Sequence, residues 1–142
     1  MKINLLAFFG LIVLLAGTGC PAPTSDCPVR FDLNKSFQLG HGATACLSDG
    51  DLTIRFDSIA GDSRCPLGVQ CIWAGRADAV LTLGHAKNSQ TATLSSGDTG
   101  QGGVRETVFE GYTIKLESVE PMTEQGKTIE PKDYRLMLTV AR

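Results

Sequence analysis

The sequence predicts an all-β domain, either an antiparallel β-sandwich or a partly closed barrel of about eight short strands, with one disulfide-closed loop. Three observations lead to this prediction. Apolar and polar residues alternate with a period of two through most of the chain after residue 28. Turn-forming residues separate the alternating segments, and no segment has the 3.6-residue apolar spacing of an amphipathic helix. One-sided alternation favours antiparallel sheets with one buried face, but it does not distinguish a sandwich from a barrel.

Eight segments carry the alternation, and we expect each of them to be a strand. In chain order their inward apolar positions are Val29, Phe31 and Leu33; Phe37 and Leu39; Ala43, Ala45 and Leu47; Leu52, Ile54 and Phe56; Ala77, Ala79, Leu81 and Leu83; Ala92 and Leu94; Tyr112, Ile114 and Leu116; and Tyr134, Leu136, Leu138 and Val140. Turn signals lie between them at 48–51, 84–88 and 110–111. The two longer connections, 60–75 and 95–105, are expected to be loops.

The first 20 residues differ from the rest of the chain. Lys2 precedes an apolar run over 5–16, and small residues follow at 17–19. This run is shorter than the roughly 20 residues that span a bilayer, so it predicts an export signal and not a transmembrane helix. Its end, AGTGC at 16–20, resembles the lipobox of a bacterial lipoprotein signal peptide, although glycine stands where that box usually has leucine.

The lipobox resemblance implies cleavage before Cys20 and acylation of that cysteine, with palmitate among the acyl chains. Two or more chains anchor a protein stably where one chain binds only marginally. Ordinary secretion, with Cys20 as a spare thiol, is the alternative. We therefore predict a signal peptide over 1–19, a proline-rich membrane tether over 20–28 and a single β domain over 29–142. The protein is expected in the bacterial cell envelope, lipid-anchored to a membrane whose identity and leaflet stay open.

Charge narrows the class of partners. The chain has 13 basic and 15 acidic residues, and removal of 1–19 takes one lysine, so the net charge changes from −2 to −3. Without a basic excess there is no electrostatic footprint for nucleic acid, and we expect none to bind. The expected partners are the membrane, through the anchor, and an envelope protein. We expect the protein to be a monomer.

The cysteines separate into one anchor and four structural residues. Once Cys20 is set aside, Cys27, Cys46, Cys65 and Cys71 remain. An even number in a short exported chain predicts two disulfide bonds. Four cysteines allow three pairings. The local pairing of Cys27 with Cys46 and of Cys65 with Cys71 is favoured because both closed loops are short, and the other two pairings stay open.

The most distinctive motif lies around the second cysteine pair. Residues 62–66 read DSRCP and 71–75 read CIWAG, which gives D-S-R-C-P-x4-C-x-W-A-G. In this motif the chain resembles a group of small exported bacterial proteins, many of them lipoproteins. The resemblance covers about a quarter of the chain closely. It implies a strand leading in, a disulfide-closed loop and a strand leading out, but it implies no activity.

Two interpretations of this loop compete. As a structural staple, it closes one end of the domain, with Arg64 paired to Asp62 or donating to loop carbonyls and with Trp73 covering the disulfide or plugging the core. As a recognition loop over 64–73, it presents Leu67 and Val69 at its tip, together with Arg64 and Trp73. A rigid loop loses little conformational entropy on binding, so a protein-binding or protease-inhibitor-like role is possible for it.

Sites for metals, cofactors and catalysis are not predicted. The Cys-x5-Cys spacing does not match a zinc site, and both histidines, His41 and His85, lie in glycine-containing turns where solvated side chains are expected. A copper(I) site with Met122 or Met137 lacks a short-range cluster. Residues 49–51 lack the rest of an EF-hand, and neither a Gly-x-Ser-x-Gly elbow nor a phosphate-binding loop is present.

These observations together predict a non-enzymatic envelope lipoprotein that acts by binding or as a structural accessory. The first alternative is a protein-binding or protease-inhibitor-like module that acts through the 64–73 loop. The second alternative is an enzyme of unknown reaction. A deep pocket that gathers His41 or His85 with two carboxylates would favour this last class.

Overall fold

The computed structural model describes residues 27–97 and 102–142. The predicted signal segment, Cys20 and most of the tether therefore lie outside the described residues. Within them are nine strands: β1 Val29–Phe31, β2 Ser36–Gly40, β3 Thr44–Leu47, β4 Leu52–Asp62, β5 Arg76–His85, β6 Asn88–Gly97, β7 Glu106–Phe109, β8 Tyr112–Glu120 and β9 Arg135–Ala141. One 3₁₀ helix, Pro131–Asp133, precedes β9, and the described part of the chain has no α-helix. The all-β prediction is confirmed.

Two sheets pack against each other as a sandwich and do not close into a barrel in the described part of the chain. One sheet has five strands in the order β1-β3-β4-β5-β6, and the other has four in the order β2-β9-β8-β7. Every pairing is antiparallel except that of β1 with β3, which is parallel. Parallel neighbours need a crossover connection. Here the chain passes through β2 in the opposite sheet before it returns as β3, so the predicted antiparallel sandwich has one parallel pair at the edge of its five-stranded sheet.

The core lies between the sheets, on the side of each strand that the alternation predicts. In β5 the buried positions are Ala77, Ala79, Leu81 and Leu83, and in β9 they are Leu136, Leu138 and Val140. Strand β4 contributes Leu52, Ile54 and Phe56, all of them fully buried. Burial of each large aliphatic or aromatic side chain stabilises the fold by about 1.5–3 kcal/mol. The intervening residues face outward and are mostly polar, with Val80 and Met137 as exceptions, which fits a sheet with one solvated face.

Two parts of the sheets lie outside the eight predicted strands. Strand β4 continues to Asp62 through register shifts between Phe56 and Ser58 and between Ile59 and Gly61. Strand β7 is a ninth strand next to the predicted 95–105 loop, and it pairs with β8. Only Phe109 of β7 is buried, so its alternation is weak in the sequence. The predicted 60–75 loop is consequently shorter, spanning 63–75.

Both disulfides join cysteines that are close in sequence. Cys27 is bonded to Cys46 with a Cα–Cα distance of 5.8 Å, and Cys65 is bonded to Cys71 with a Cα–Cα distance of 5.9 Å. The local pairing is confirmed. Among residues 27–97 and 102–142, no helix is long and apolar enough to cross a membrane.

Strand β4 separates two ends of the domain. Near its start, Thr53 pairs with Cys46, which is bonded to Cys27. At its last residue, Asp62, the chain enters the 63–75 loop. Nine residues of extended chain correspond to about 30 Å. The end with the Cys27–Cys46 disulfide is called the Cys27 end, and the end with the 63–75 loop is called the loop end.

Candidate binding surface at the loop end

The 63–75 loop is a continuation of the β4–β5 hairpin. Beyond the last strand pair, the Ser63 amide donates to the Arg76 carbonyl at 2.8 Å. One step further, the Cys65 amide donates to the Ala74 carbonyl at 2.8 Å. The Cys65–Cys71 disulfide then closes the tip. The two arms of the loop are therefore held together over most of their length.

Two glycines allow this path. Gly75 has a φ of +66°, and a Cβ built on it would lie 1.8 Å from the Ser63 carbonyl oxygen, so no other residue fits between the arms. Gly68 has a φ of +77° within the turn in which the Val69 amide donates to the Pro66 carbonyl at 3.2 Å. The turn is tight because proline fixes φ at Pro66 and glycine accepts a positive φ at Gly68.

A buried ion pair lies beneath the loop. The Arg64 guanidinium donates through Nε to Asp62 Oδ1 at 2.9 Å and through Nη2 to Asp62 Oδ2 at 2.6 Å. It also donates to the carbonyls of Val119, at 2.5 Å, and of Pro121, at 2.9 Å. The Arg64 and Asp62 side chains are only 8% and 10% exposed. The predicted pairing with Asp62 is confirmed, but the accepting carbonyls belong to the end of β8 and to the segment after it, and not to the loop.

The segment after β8 forms a base on which the loop lies. The Leu67 amide donates to the Thr123 carbonyl at 2.8 Å, and the Thr123 hydroxyl donates to the Arg64 carbonyl at 3.2 Å. Leu67 and Glu124 form a parallel β-bridge. The loop is thus fixed against the β8–β9 connection. This contact joins residues more than 50 positions apart, so no pattern in the sequence predicts it.

Tyr134 completes the network around Asp62. Its hydroxyl donates to Asp62 Oδ2 at 3.0 Å. Burial opposes ionisation of Asp62, but the hydrogen bonds and charge of Arg64, together with the Tyr134 hydroxyl, outweigh it and lower the pKa of the carboxyl. Burial, and next the hydrogen bond to Asp62 and its charge, raise the pKa of Tyr134. Asp62 is therefore held as a carboxylate and Tyr134 as a neutral donor.

Four large apolar side chains are exposed at this end. Their exposed fractions are 57% for Leu67, 92% for Ile72, 68% for Trp73 and 45% for Met122. These four residues are called the loop-end surface. The expectation that Trp73 plugs the core is wrong, because the loop runs outward from the sheets and takes the indole with it. The buried ion pair and the disulfide support this part of the chain instead.

A cleft of about 440 Å³ lies beside the loop-end surface. Its lining is mixed, with one aromatic ring, two acidic groups, one arginine and small residues: Gly61, Asp62, Ser63, Trp73, Gly75, Arg76 and Asp78. Asp78 Oδ1 lies 3.1 Å from Arg76 Nε and accepts a hydrogen bond from the Ser95 hydroxyl at 2.5 Å. Both carboxylates in the cleft therefore have a cationic partner.

The histidines lie in two other clefts and are half-buried, so the expectation of solvated side chains is wrong. The His41 ring packs edge-on against Phe56 with 5.4 Å between ring centroids, in a cleft of about 400 Å³ that also includes Ser58, Asp62 and Tyr134. The His85 ring is tilted against Tyr112 at 5.8 Å. Aromatic neighbours bury the rings in both cases. In residues 27–97 and 102–142, no group of three or more His, Cys, Asp or Glu side chains is placed to hold a metal ion.

The four candidate recognition residues have different surroundings. Leu67 and Trp73 belong to the loop-end surface, Val69 is half-buried, and Arg64 points inward to Asp62. Sequence reasoning missed Met122 as a member of this surface. Its one signal is a large apolar residue between strands, next to Pro121 and outside any alternating segment.

Comparisons with known proteins assign neither a family nor a function to the chain. The chain matches no protein-family model, no curated protein and no solved structure. The resemblance carried by 62–66 and 71–75 therefore stays a prediction, and the geometry of the loop end is the basis for a functional proposal.

Proposed function

We propose that the chain is a lipid-anchored, non-enzymatic module of the bacterial cell envelope that binds a partner through its loop end. The observation that carries the proposal is the loop-end surface itself. Leu67, Ile72 and Trp73 stand exposed on a loop that a disulfide, a buried ion pair and backbone hydrogen bonds hold in place. Met122 stands exposed on the β8–β9 connection, against which this loop is fixed. Large apolar side chains that are exposed together at one end of a domain are typical of interaction sites.

Rigidity makes this surface suited to binding. A loop that is already ordered loses little conformational entropy when a partner docks, so more of the contact energy appears as affinity. Tryptophan is also enriched among the residues that dominate binding energy at interfaces. Trp73 combines both properties, since its side chain is exposed and the Cys65–Ala74 hydrogen bond fixes the backbone beside it. Leu67 adds a second exposed side chain on a hydrogen-bonded backbone.

The two ends of the domain are suited to different roles, anchoring at the Cys27 end and binding at the loop end. The acylated residue in this proposal is Cys20, seven residues before Cys27, and seven residues of chain reach at most about 25 Å. The tether would therefore bring the membrane near the Cys27 end. The loop end lies about 30 Å further along β4. Anchoring at one end leaves the other end accessible to a partner.

Catalysis has less support than binding. The cleft around His41 includes one carboxylate, Asp62, and that group already accepts hydrogen bonds from Arg64 and Tyr134. A general base needs a free lone pair directed at the proton that it removes. The cleft around His85 includes one carboxylate, Asp51. Neither described cleft brings a histidine together with two carboxylates, which favours the non-enzymatic proposal.

The protease-inhibitor alternative also has less support than a side-chain binding surface. An inhibitor loop that pairs with a protease cleft as an extended strand needs its own backbone free for that pairing. The backbone of Leu67 is already used, because its amide donates to Thr123 and the residue forms a bridge with Glu124. Contact through exposed side chains is the mode of binding that remains available to the loop tip.

A capture experiment from envelope extract tests the proposal. The mature protein is compared with Leu67→Asp and Ile72→Asp, and Val108→Asp is the matched control because Val108 is 66% exposed on β7, near the β7–β8 turn at the Cys27 end. We expect the wild-type protein and the control to retain the same envelope component and both loop variants to lose at least 90% of it, with unchanged melting temperatures. Equal capture by all four proteins would refute the proposal.

A further inference from the structure

We propose that the cleft beside the loop-end surface binds a neutral sugar ring, with Trp73 as the stacking platform. This inference rests on the proposed function, because it gives the loop end a class of ligand, namely a glycan of the envelope. The cleft of about 440 Å³ falls in the range of small-ligand sites, about 300–1,000 Å³. Its lining combines one flat aromatic ring with several polar groups, which is the combination that a polyhydroxylated ring requires.

Trp73 supplies the apolar part of the recognition. The indole lines the cleft and is nevertheless 68% exposed, so a ring face is open to a ligand. The π-face of an aromatic ring is electron-rich. The C–H bonds on one face of a pyranose carry partial positive charge and pack against such a surface. The backbone beside Trp73 is fixed, since the Ala74 carbonyl accepts from Cys65 and Cys71 is in the disulfide.

The charge of the cleft favours a neutral ligand. Asp62 is paired with Arg64 and accepts from Tyr134, while Asp78 is paired with Arg76 and accepts from the Ser95 hydroxyl. Each carboxylate is thus compensated by a cation of the protein. A cationic ligand placed on Trp73 would meet the Arg76 guanidinium in the same cleft, so the charge balance disfavours a lysine or arginine side chain of a partner.

A purely apolar ligand fits this cleft less well than a sugar. Covering the Arg76–Asp78 pair with apolar groups would remove water from the pair and give no hydrogen bond in return, which is costly. Sugar hydroxyls both donate and accept hydrogen bonds. An ionised carboxylate offers about four acceptor positions, so Asp78 can accept from a ligand hydroxyl in addition to its protein donors. The floor of the cleft is therefore suited to hydroxyl groups.

The single tryptophan makes the inference directly measurable. Trp73 is the only tryptophan of the chain, so all tryptophan emission comes from the proposed platform. The mature protein is titrated with neutral oligosaccharides, namely the di- to tetrasaccharides of N-acetylglucosamine and of glucose. We expect a saturable change in emission with at least one series. A cationic probe, the glucosamine oligomers, is expected to bind at least tenfold more weakly than the neutral series.

Substitutions test which side chains contribute to sugar binding. Trp73→Ala is expected to weaken retention of the best oligosaccharide on an affinity column at least tenfold, and Trp73→Phe is expected to restore part of it because an aromatic face returns. Asp78→Asn is expected to weaken retention, with its melting temperature recorded in parallel. Val108→Asp is the matched control, since Val108 is exposed at the Cys27 end and does not line the cleft. Its retention is expected to stay within twofold of the wild-type value.

The outcomes separate this inference from the proposed function. If no neutral oligosaccharide changes Trp73 emission, or if Trp73→Ala binds as tightly as the wild type, the sugar inference is overturned. If Leu67→Asp still loses the envelope component in that case, the proposed function stands with a different ligand. If glucosamine oligomers bind more tightly than the neutral series, the charge argument is wrong and the inference is also overturned. If loop-end variants alter neither sugar binding nor envelope capture, both proposals fail.

Discussion

At the scale of single residues, Arg64 connects the 63–75 loop to the end of β4 and to the end of β8. It pairs with Asp62 of β4 and donates to the carbonyls of Val119 and Pro121. Removing one member of a buried ion pair leaves the other charge without a partner in a poorly solvated place. The fixed shape of the loop end therefore depends on a few polar contacts as well as on the core.

The first prediction concerns the stability that this pair provides. Arg64→Ala is expected to lower the free energy of unfolding by about 3–5 kcal/mol, because Asp62 stays buried without its cation. The measurement is urea denaturation at pH 7. Arg55→Ala is the matched control. Its pair with Asp57 is longer, at 3.5 Å, and the Arg55 side chain is 58% exposed, so it should cost less than about 1 kcal/mol. Equal losses in the two variants would contradict this account of Arg64.

The second prediction concerns pH. The pKa of Asp62 is lowered in the folded protein from its ordinary value of 3.8. The unfolded chain therefore binds the proton more readily than the folded protein does. The stabilisation due to Asp62 is fully present above the unfolded pKa and is lost as the pH falls through the folded pKa. We expect the melting temperature to fall steeply below about pH 4.

The variant Asp62→Asn isolates this effect. Its melting temperature at pH 7 should be lower than that of the wild type, since Arg64 loses its anion. Its decline below about pH 4 should be shallower, because the titrating group is gone. A shallow slope is expected to persist, because the pKa of Asp32 is also lowered, by the hydrogen bond from Lys35. If the melting temperatures of the two proteins fall equally steeply below about pH 4, Asp62 does not carry the pH dependence.

Residue-scale reasoning from the sequence succeeded where partners are close along the chain. Asp62 and Arg64 are two positions apart, so their pairing was predictable. Tyr134 lies 72 positions from Asp62, and Val119 lies 55 positions from Arg64. Those contacts depend on how the two sheets are stacked and on the bulges in β4. A single sequence carries no signal for either, so the network was not predictable as a whole.

At the scale of elements, the alternating pattern was sufficient for the strands that form the core. Strands β5 and β9 bury every second residue, and the sequence shows this directly. Strand β7 was missed because it buries one residue in four. The parallel pairing of β1 was missed because alternation specifies which face is buried and not which neighbour a strand has. A strand of three residues carries no signal for its direction of pairing.

The third prediction separates the roles of the two disulfides. In the chain-entropy model, the Cys27–Cys46 bond, with a sequence separation of 19, stabilises by about 3 kcal/mol, and the Cys65–Cys71 bond, with a separation of 6, by about 2 kcal/mol. We expect the double variant Cys27→Ala/Cys46→Ala to lose more stability in urea but to keep its capture of the envelope component. Cys65→Ala/Cys71→Ala is expected to lose less stability and most of its capture. The reverse pattern would assign binding to the Cys27 end.

At the scale of the whole molecule, the two ends of the domain have different proposed roles, anchoring at the Cys27 end and binding at the loop end. The Cys27 end lies beside the predicted tether, and the loop end carries the exposed apolar side chains and the cleft. The sequence predicted an anchor and a candidate recognition loop as separate features. That Cys27 and the 63–75 loop lie at opposite ends of β4 was not predictable, because it follows from the direction and length of this strand.

The fourth prediction tests the anchor. Cys20→Ser is expected to remove acyl mass from the mature N-terminus and to move the protein from the membrane fraction to the soluble fraction. Mass spectrometry of the purified protein and fractionation of cells measure both effects. The domain itself should keep its melting temperature, because Cys20 lies outside the β domain. A Cys20→Ser protein that stays with the membrane would contradict lipid anchoring.

Site-specific photocrosslinking in intact cells tests directly whether the loop end is the binding surface of the protein. A benzophenone amino acid replaces Ile72 at the loop end or Val108 near the β7–β8 turn, both of which are exposed apolar positions. We predict a discrete adduct from position 72 that disappears in the Leu67→Asp background, and no comparable adduct from position 108. An adduct from position 108 without one from position 72 would contradict the account.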